Sequence, residues 1–91
     1  MKVYIYNYTS YTNQVSTHEV YYTAQNALKE VACFLKLRIG DAEYFGTATR
    51  NEYDMYQLLQ QEKIAEACEI FNNMQFAERI EVLEREIKLS Y

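Results

Sequence analysis

The chain changes its hydrophobic period once, at Thr23, and that change constrains the fold more than any other feature. Before it, Lys2 to Tyr8 alternates as an extended strand, with Val3 and Ile5 on one face and Tyr4, Tyr6 and Tyr8 on the other. Thr9 to Gln14 is turn-like in composition, and Val15 to Tyr22 is again rich in strand formers. A β-hairpin is the simplest connection. Thr23 is placed as an N-cap, after which Ala24, Ala27, Leu28, Val31, Ala32, Leu35 and Ile39 recur at three-and-four spacing. That spacing marks an amphipathic helix, and Gly40 is expected to end it.

Asp41 to Arg50 has no clear period and reads as a loop or short helical turn, broken at Gly46. Asn51 is a candidate cap for a further helix carrying Tyr53, Tyr56, Leu58 and Leu59. Glu62 to Asn73 continues with Ile64, Ala67, Cys68 and Phe71 on one stripe, as the same helix or as a second one beyond a kink near Gln60 and Gln61.

The segment Phe76 to Leu89 fits two structures. As a helix it has an apolar stripe of Phe76, Ile80, Leu83 and Ile87, with favourable Glu81–Arg85 and Glu84–Lys88 pairs. As a strand, Ile80 and Val82 alternate, but Leu83, Ile87 and Leu89 fall on the other parity, which calls for a bulge. A lone two-stranded hairpin is marginal in water, so a third strand returning beside it tips the choice to the strand. The expected class is α+β: an N-terminal antiparallel β-hairpin, two to three helices and a closing C-terminal strand, with a helix as the alternative for the last segment. Ninety-one residues without a linker or repeat make one compact domain, residues 1–91. Its core is expected from Leu28, Val31, Leu35, Ile64 and Phe71 packed with Val3 and Ile5.

Composition narrows the chemistry. No stretch approaches the ~20 apolar residues of a membrane span, and the polar residues after Met1 to Tyr6 do not suit a signal peptide. Two cysteines are too few for a disulfide scaffold, which points to a reducing, cytoplasmic setting. Cys33 and Cys68 each fall on an apolar stripe and read as small buried hydrophobes. No Cys-x-x-Cys or His-x-x-x-His spacing offers a metal site, neither glycine belongs to a phosphate cradle, and no cofactor is implied. His18, the lone histidine, shares a strand face with Val20 and Tyr22 beside Ser16 and Thr17, and no motif pairs it with a nucleophile and a carboxylate. An enzyme is therefore not the expected class.

Charge and tyrosine point to binding instead. Residues 1–40 carry a net +2 and residues 41–91 a net −6. The acidic half repels nucleic acid and membranes and attracts a larger protein with a basic surface. Glu62, Glu66 and Glu69 fall on one helical side and are the acidic candidates for partner binding. Six of the ten tyrosines lie in the first 22 residues, and Tyr4, Tyr6, Tyr8 and Tyr22 are the aromatic alternative.

In size, acidity and single α+β domain the chain resembles the small anti-defence inhibitors of mobile elements, anti-CRISPR proteins among them. That resemblance implies stoichiometric inhibition of a larger nucleic-acid-handling protein. Two alternatives stand beside it. The tyrosine hairpin stacks single-stranded nucleic acid, with Lys2, Lys29, Lys36 and Arg38 on phosphates, against which the overall acidity counts. Or the chain is a structural homo-oligomer, a homodimer for instance, whose hairpin edges pair between copies.

Overall fold

The middle strand of the sheet is β1 (Lys2–Ser10), flanked by β2 (Val15–Tyr21) and β3 (Glu78–Glu86), both antiparallel to it. This computed structural model describes residues 1–74 and 77–88. Phe76 and Leu89, the two ends of the ambiguous segment, lie outside the described residues. Between them, Glu78–Glu86 is a strand.

The expected bulge is absent. Pairing of β1 with β3 runs in unbroken register from Lys2 opposite Glu86 to Ser10 opposite Glu78. Both faces of this sheet carry apolar side chains, so both parities are accommodated. Ile80 and Val82 turn towards the helices, opposite Tyr8 and Tyr6, while Leu83 sits opposite Ile5 on the other face.

Which face the helices cover reverses the expectation for β1. Tyr6 is buried in the main core and Tyr8 packs against it, so the tyrosine face is the inner one. Val3 and Ile5 point the opposite way: Val3 is buried and Ile5 half-buried, but neither joins the core beneath the helices. Alternation specifies which residues share a face. It does not specify which face gets a roof.

Helix α1 (Ala24–Tyr44) begins at Thr23 as expected, the threonine Oγ1 accepting from the Asn26 N–H at 3.2 Å. It does not stop at Gly40 but runs four residues on to Tyr44. It stops near Gly46, whose φ of +70° is one that glycine adopts at little cost, and whose N–H donates to the Glu43 carbonyl at 3.1 Å. Helix α2 (Arg50–Gln60) is capped by Thr49 rather than Asn51, through a reciprocal capping box with Glu52. Burial pushes the Glu52 carboxyl up, but the hydrogen bonds from Thr49 outweigh it and hold the group below its usual range.

Helix α3 (Ile64–Met74) is separate from α2. Between them the Glu62 N–H donates to the Leu59 carbonyl at 3.1 Å and the Lys63 N–H to the Leu58 carbonyl at 2.8 Å. This is a Schellman turn with Glu62 at φ +60°, the left-handed position usually held by glycine. Helix α1 lies across all three strands, α3 packs on β3, and α2 packs on the other two helices.

The core between sheet and helices joins Tyr6, Val31, Leu35, Ile39, Met55, Leu59, Ala67, Phe71 and Ile80. Ile64 packs against it partly buried, whereas Leu28 is half-buried at the mouth of two clefts. Cys33 is exposed, contrary to expectation. It lies about 200° around the helix from Val31 and from Leu35, off the stripe that includes Ala27 and Ile39.

Candidate functional site

Of the eleven acids of the C-terminal half, six are engaged within the chain, and five, Asp41, Glu43, Glu62, Glu66 and Glu69, are exposed without an ion pair among the described residues. On β3, Glu78 pairs with Arg38, Glu81 with Arg79 at 3.6 Å, Glu84 with Lys2 at 3.2 Å, and Glu86 with the Met1 amino group at 3.0 Å. On α2, Asp54 meets Arg50 at 3.2 Å and Glu52 serves the cap. The expected acidic residues are different. Glu66 and Glu69 on α3 and Glu62 in the turn before it are exposed, and none makes an ion pair among the described residues. Glu66 and Glu69, three apart on the helix, are neighbours on its surface; Glu62 is displaced from their row by the left-handed turn.

The tyrosines do not form one exposed platform. Tyr6 is buried, and that burial pushes its hydroxyl up to about 12. Tyr8 packs on Phe34 with ring centroids 5.1 Å apart and the planes tilted by 46°, and Phe34 in turn meets Phe71 edge-on at 5.3 Å. The Tyr8 hydroxyl donates to Glu78, which Arg38 also holds from above the Phe34 ring. Tyr22 is exposed, beyond the end of β2.

Tyr4 and Glu69, one from each expected surface, meet at a single cleft. It lies between α1, α3 and β3 and holds about 360 Å³. Leu28, Val31, Ile80 and Val82 give it an apolar lining, and no lysine or arginine lines it. At its side the Cys68 Sγ donates to the Ile80 carbonyl at 3.1 Å. Burial raises the Cys68 thiol to about 11, which removes it from nucleophilic work near neutral pH.

Beside it Asn72 acts as a peptide group in miniature. Its Oδ1 accepts from the Ile80 N–H at 2.9 Å and its Nδ2 donates to the Ile80 carbonyl at 2.8 Å.

A second groove was not legible as a site from spacing alone. Between α1 and α2 lies about 700 Å³ lined by Ile39, Glu43, Glu52, Tyr53 and Tyr56, with both tyrosines well exposed. Exposed Tyr44 and Phe45, in edge-to-face contact at 5.0 Å, end the adjacent helix. The available signal was the Met55–Leu59 pair: once those two face inward, Tyr53 and Tyr56 are left on the flanks of α2.

His18 is exposed on β2, with its Nε2 3.0 Å from the Ser16 Oγ and Asn7 as its cross-strand neighbour. No carboxylate stands in that pair. Among the described residues no group of three or more His, Cys, Asp or Glu is placed to hold a metal ion, and no helix is long and apolar enough to cross a membrane. The chain matches no protein-family model, no curated protein sequence and no solved structure.

Proposed function

We propose that the protein is a stoichiometric protein-binding module whose acidic α3 surface docks on the basic, nucleic-acid-handling surface of a larger protein and occupies it. The observation that supports this most directly is the unspent charge of Glu62, Glu66 and Glu69 on and before α3, beside β3 and α2, whose acids are all engaged within the chain. An exposed carboxylate without an internal partner contributes little to the fold and is free to steer an encounter. The adjoining cleft adds an apolar seat with an acid at its rim, suited to the aliphatic stem and charged head of a partner's lysine or arginine.

The test is capture from a host-cell extract by the wild-type protein and by a Glu62→Lys, Glu66→Lys, Glu69→Lys variant, each challenged with a short oligonucleotide. The wild type is expected to retain a partner that the oligonucleotide displaces, and the variant to retain none while keeping its circular-dichroism melt. Equal capture by both proteins would remove the acidic surface from the reading. Direct binding of the oligonucleotide to the wild type would favour nucleic-acid recognition instead. Against that outcome stands the placement of Tyr6 and Tyr8 beneath the helices, where no base can stack on them.

A further inference from the structure

The two outer strands of the sheet are built unlike one another, and the difference identifies a partner for one of them. On β3, six of nine residues are charged, and Asn72 already occupies the outward N–H and C=O of Ile80. On β2, one of seven residues is charged, there is no proline, lysine or arginine, and every residue but Tyr21 is exposed. An edge left long and nearly uncharged is a template for another strand.

The register fixes which groups are free. Ile80 turns its backbone to Asn72, so its partner Tyr8 turns its own away from β3 and towards Thr17 of β2. Thr17 and Glu19 are therefore bonded inward, and Ser16, His18 and Val20 direct their N–H and C=O groups outward.

The geometry points to a second copy of this chain as the occupant, paired antiparallel through β2 with His18 on the two-fold axis. This is the register in which all seven residues overlap. It places Ser16 opposite Val20 and His18 opposite its copy, with about six outward hydrogen bonds formed. It also sets Val15 opposite Tyr21, a β-branched residue against an aromatic, and Thr17 opposite Glu19, so that the single charge never faces itself.

The flank of α1 above this edge fits the same partner. Helix α1 packs on β2, and its row Glu30, Cys33 and Leu37, at three-and-four spacing, is exposed. Leu37 there is 71% exposed. The symmetric pair joins two three-stranded sheets into one of six strands, with both helical layers on the same face. It does not rest on the acidic α3 surface, which lies over β3 at the opposite end of the sheet.

Sedimentation equilibrium tests the pairing. The wild type is expected to rise with concentration from 10.9 kDa towards about twice that mass. His18→Pro removes an outward N–H that the monomer does not use, and should stay a folded monomer. His18→Lys sets two like charges across the axis and should do the same without touching the backbone. For the register, His18→Cys in a Cys33→Ser background should oxidise to a covalent dimer, because opposed residues in such a pair are about 5.5 Å apart between Cα atoms. Thr17→Cys in the same background should not. A wild type that remains a monomer to about 1 mM leaves the edge to some other strand and overturns the proposal. So does a dimer that survives both position-18 substitutions, since it then forms elsewhere.

Discussion

The outer strands β2 and β3 hydrogen-bond to the same central strand, yet one is guarded and the other is bare. On β3 the guard has three layers: six charged residues, the Asn72 amide on Ile80, and α3 packed above. On β2 the only helical cover among the described residues is α1, against which Tyr21 packs partly buried. The difference teaches that an edge is not protected by belonging to a sheet. Protection is built from particular side chains, and it is absent where they are absent.

Removing the guard should cost far more than altering the bare edge. Phe71→Ala takes a fully buried ring from between α3 and the sheet and should lose about 3–5 kcal/mol, read from chemical denaturation. A loss under 1 kcal/mol would mean that α3 does not hold β3. Asn72→Ala leaves the Ile80 N–H without its side-chain partner and the Ile80 carbonyl with the weak Cys68 Sγ donor in place of the amide, and should cost about 1–3 kcal/mol. The same variant should scatter light on standing where the wild type does not, because a second edge is then open. If it stays as clear as the wild type, charge alone is the guard of β3.

Glu62→Gly sharpens the comparison from the other end of α3. It places glycine where the turn requires a left-handed backbone and should raise stability by about 1 kcal/mol. It should also slow capture of the partner by removing one of the three free carboxylates. A stabilised variant that captures as quickly would detach Glu62 from the binding surface. The smallest effect is expected on the bare edge: Val20→Thr, at a side chain 58% exposed, should change stability by less than about 0.5 kcal/mol.

Much of this architecture was legible before the structure. The alternation of Lys2 to Tyr8, the cap at Thr23 and the stripe from Ala27 to Ile39 are local signals, and each corresponds to an element. The closing strand followed from a global argument, that a hairpin needs a third strand, against a local pattern that favoured a helix. What stayed hidden depends on tertiary context. Nothing in the alternation of β1 says that the tyrosines face inward, because Val3 and Ile5 make an equally plausible inner face until the helices are placed. Gly40 was misread because glycine permits a helix to end without requiring it. Thr49 and Glu52 are different: their three-residue spacing is a capping box visible in the sequence, although the expected cap was Asn51. For the candidate site, the three glutamates were identifiable, but their lack of internal partners was not. That property depends on where Lys2, Arg38 and Arg79 spend their charge.

The order of the strands has a consequence in time. Of the three strands the central one leaves the ribosome first, and one of its two neighbours leaves it last. Tyr8 pairs with Ile80, seventy-two positions later. The hairpin with β2 is complete at Tyr21, so at about 5–20 residues per second β1 then waits roughly 3–12 s for Ile80 of β3. Through that interval the side of β1 later sealed by β3 stays open, and the tyrosines beneath the helices have only part of their cover. Contacts so distant in sequence also make final closure slow relative to helix formation. A nascent chain arrested before Glu78 should therefore hold its hairpin and α1 while remaining a target for chaperones that grip extended, aromatic segments.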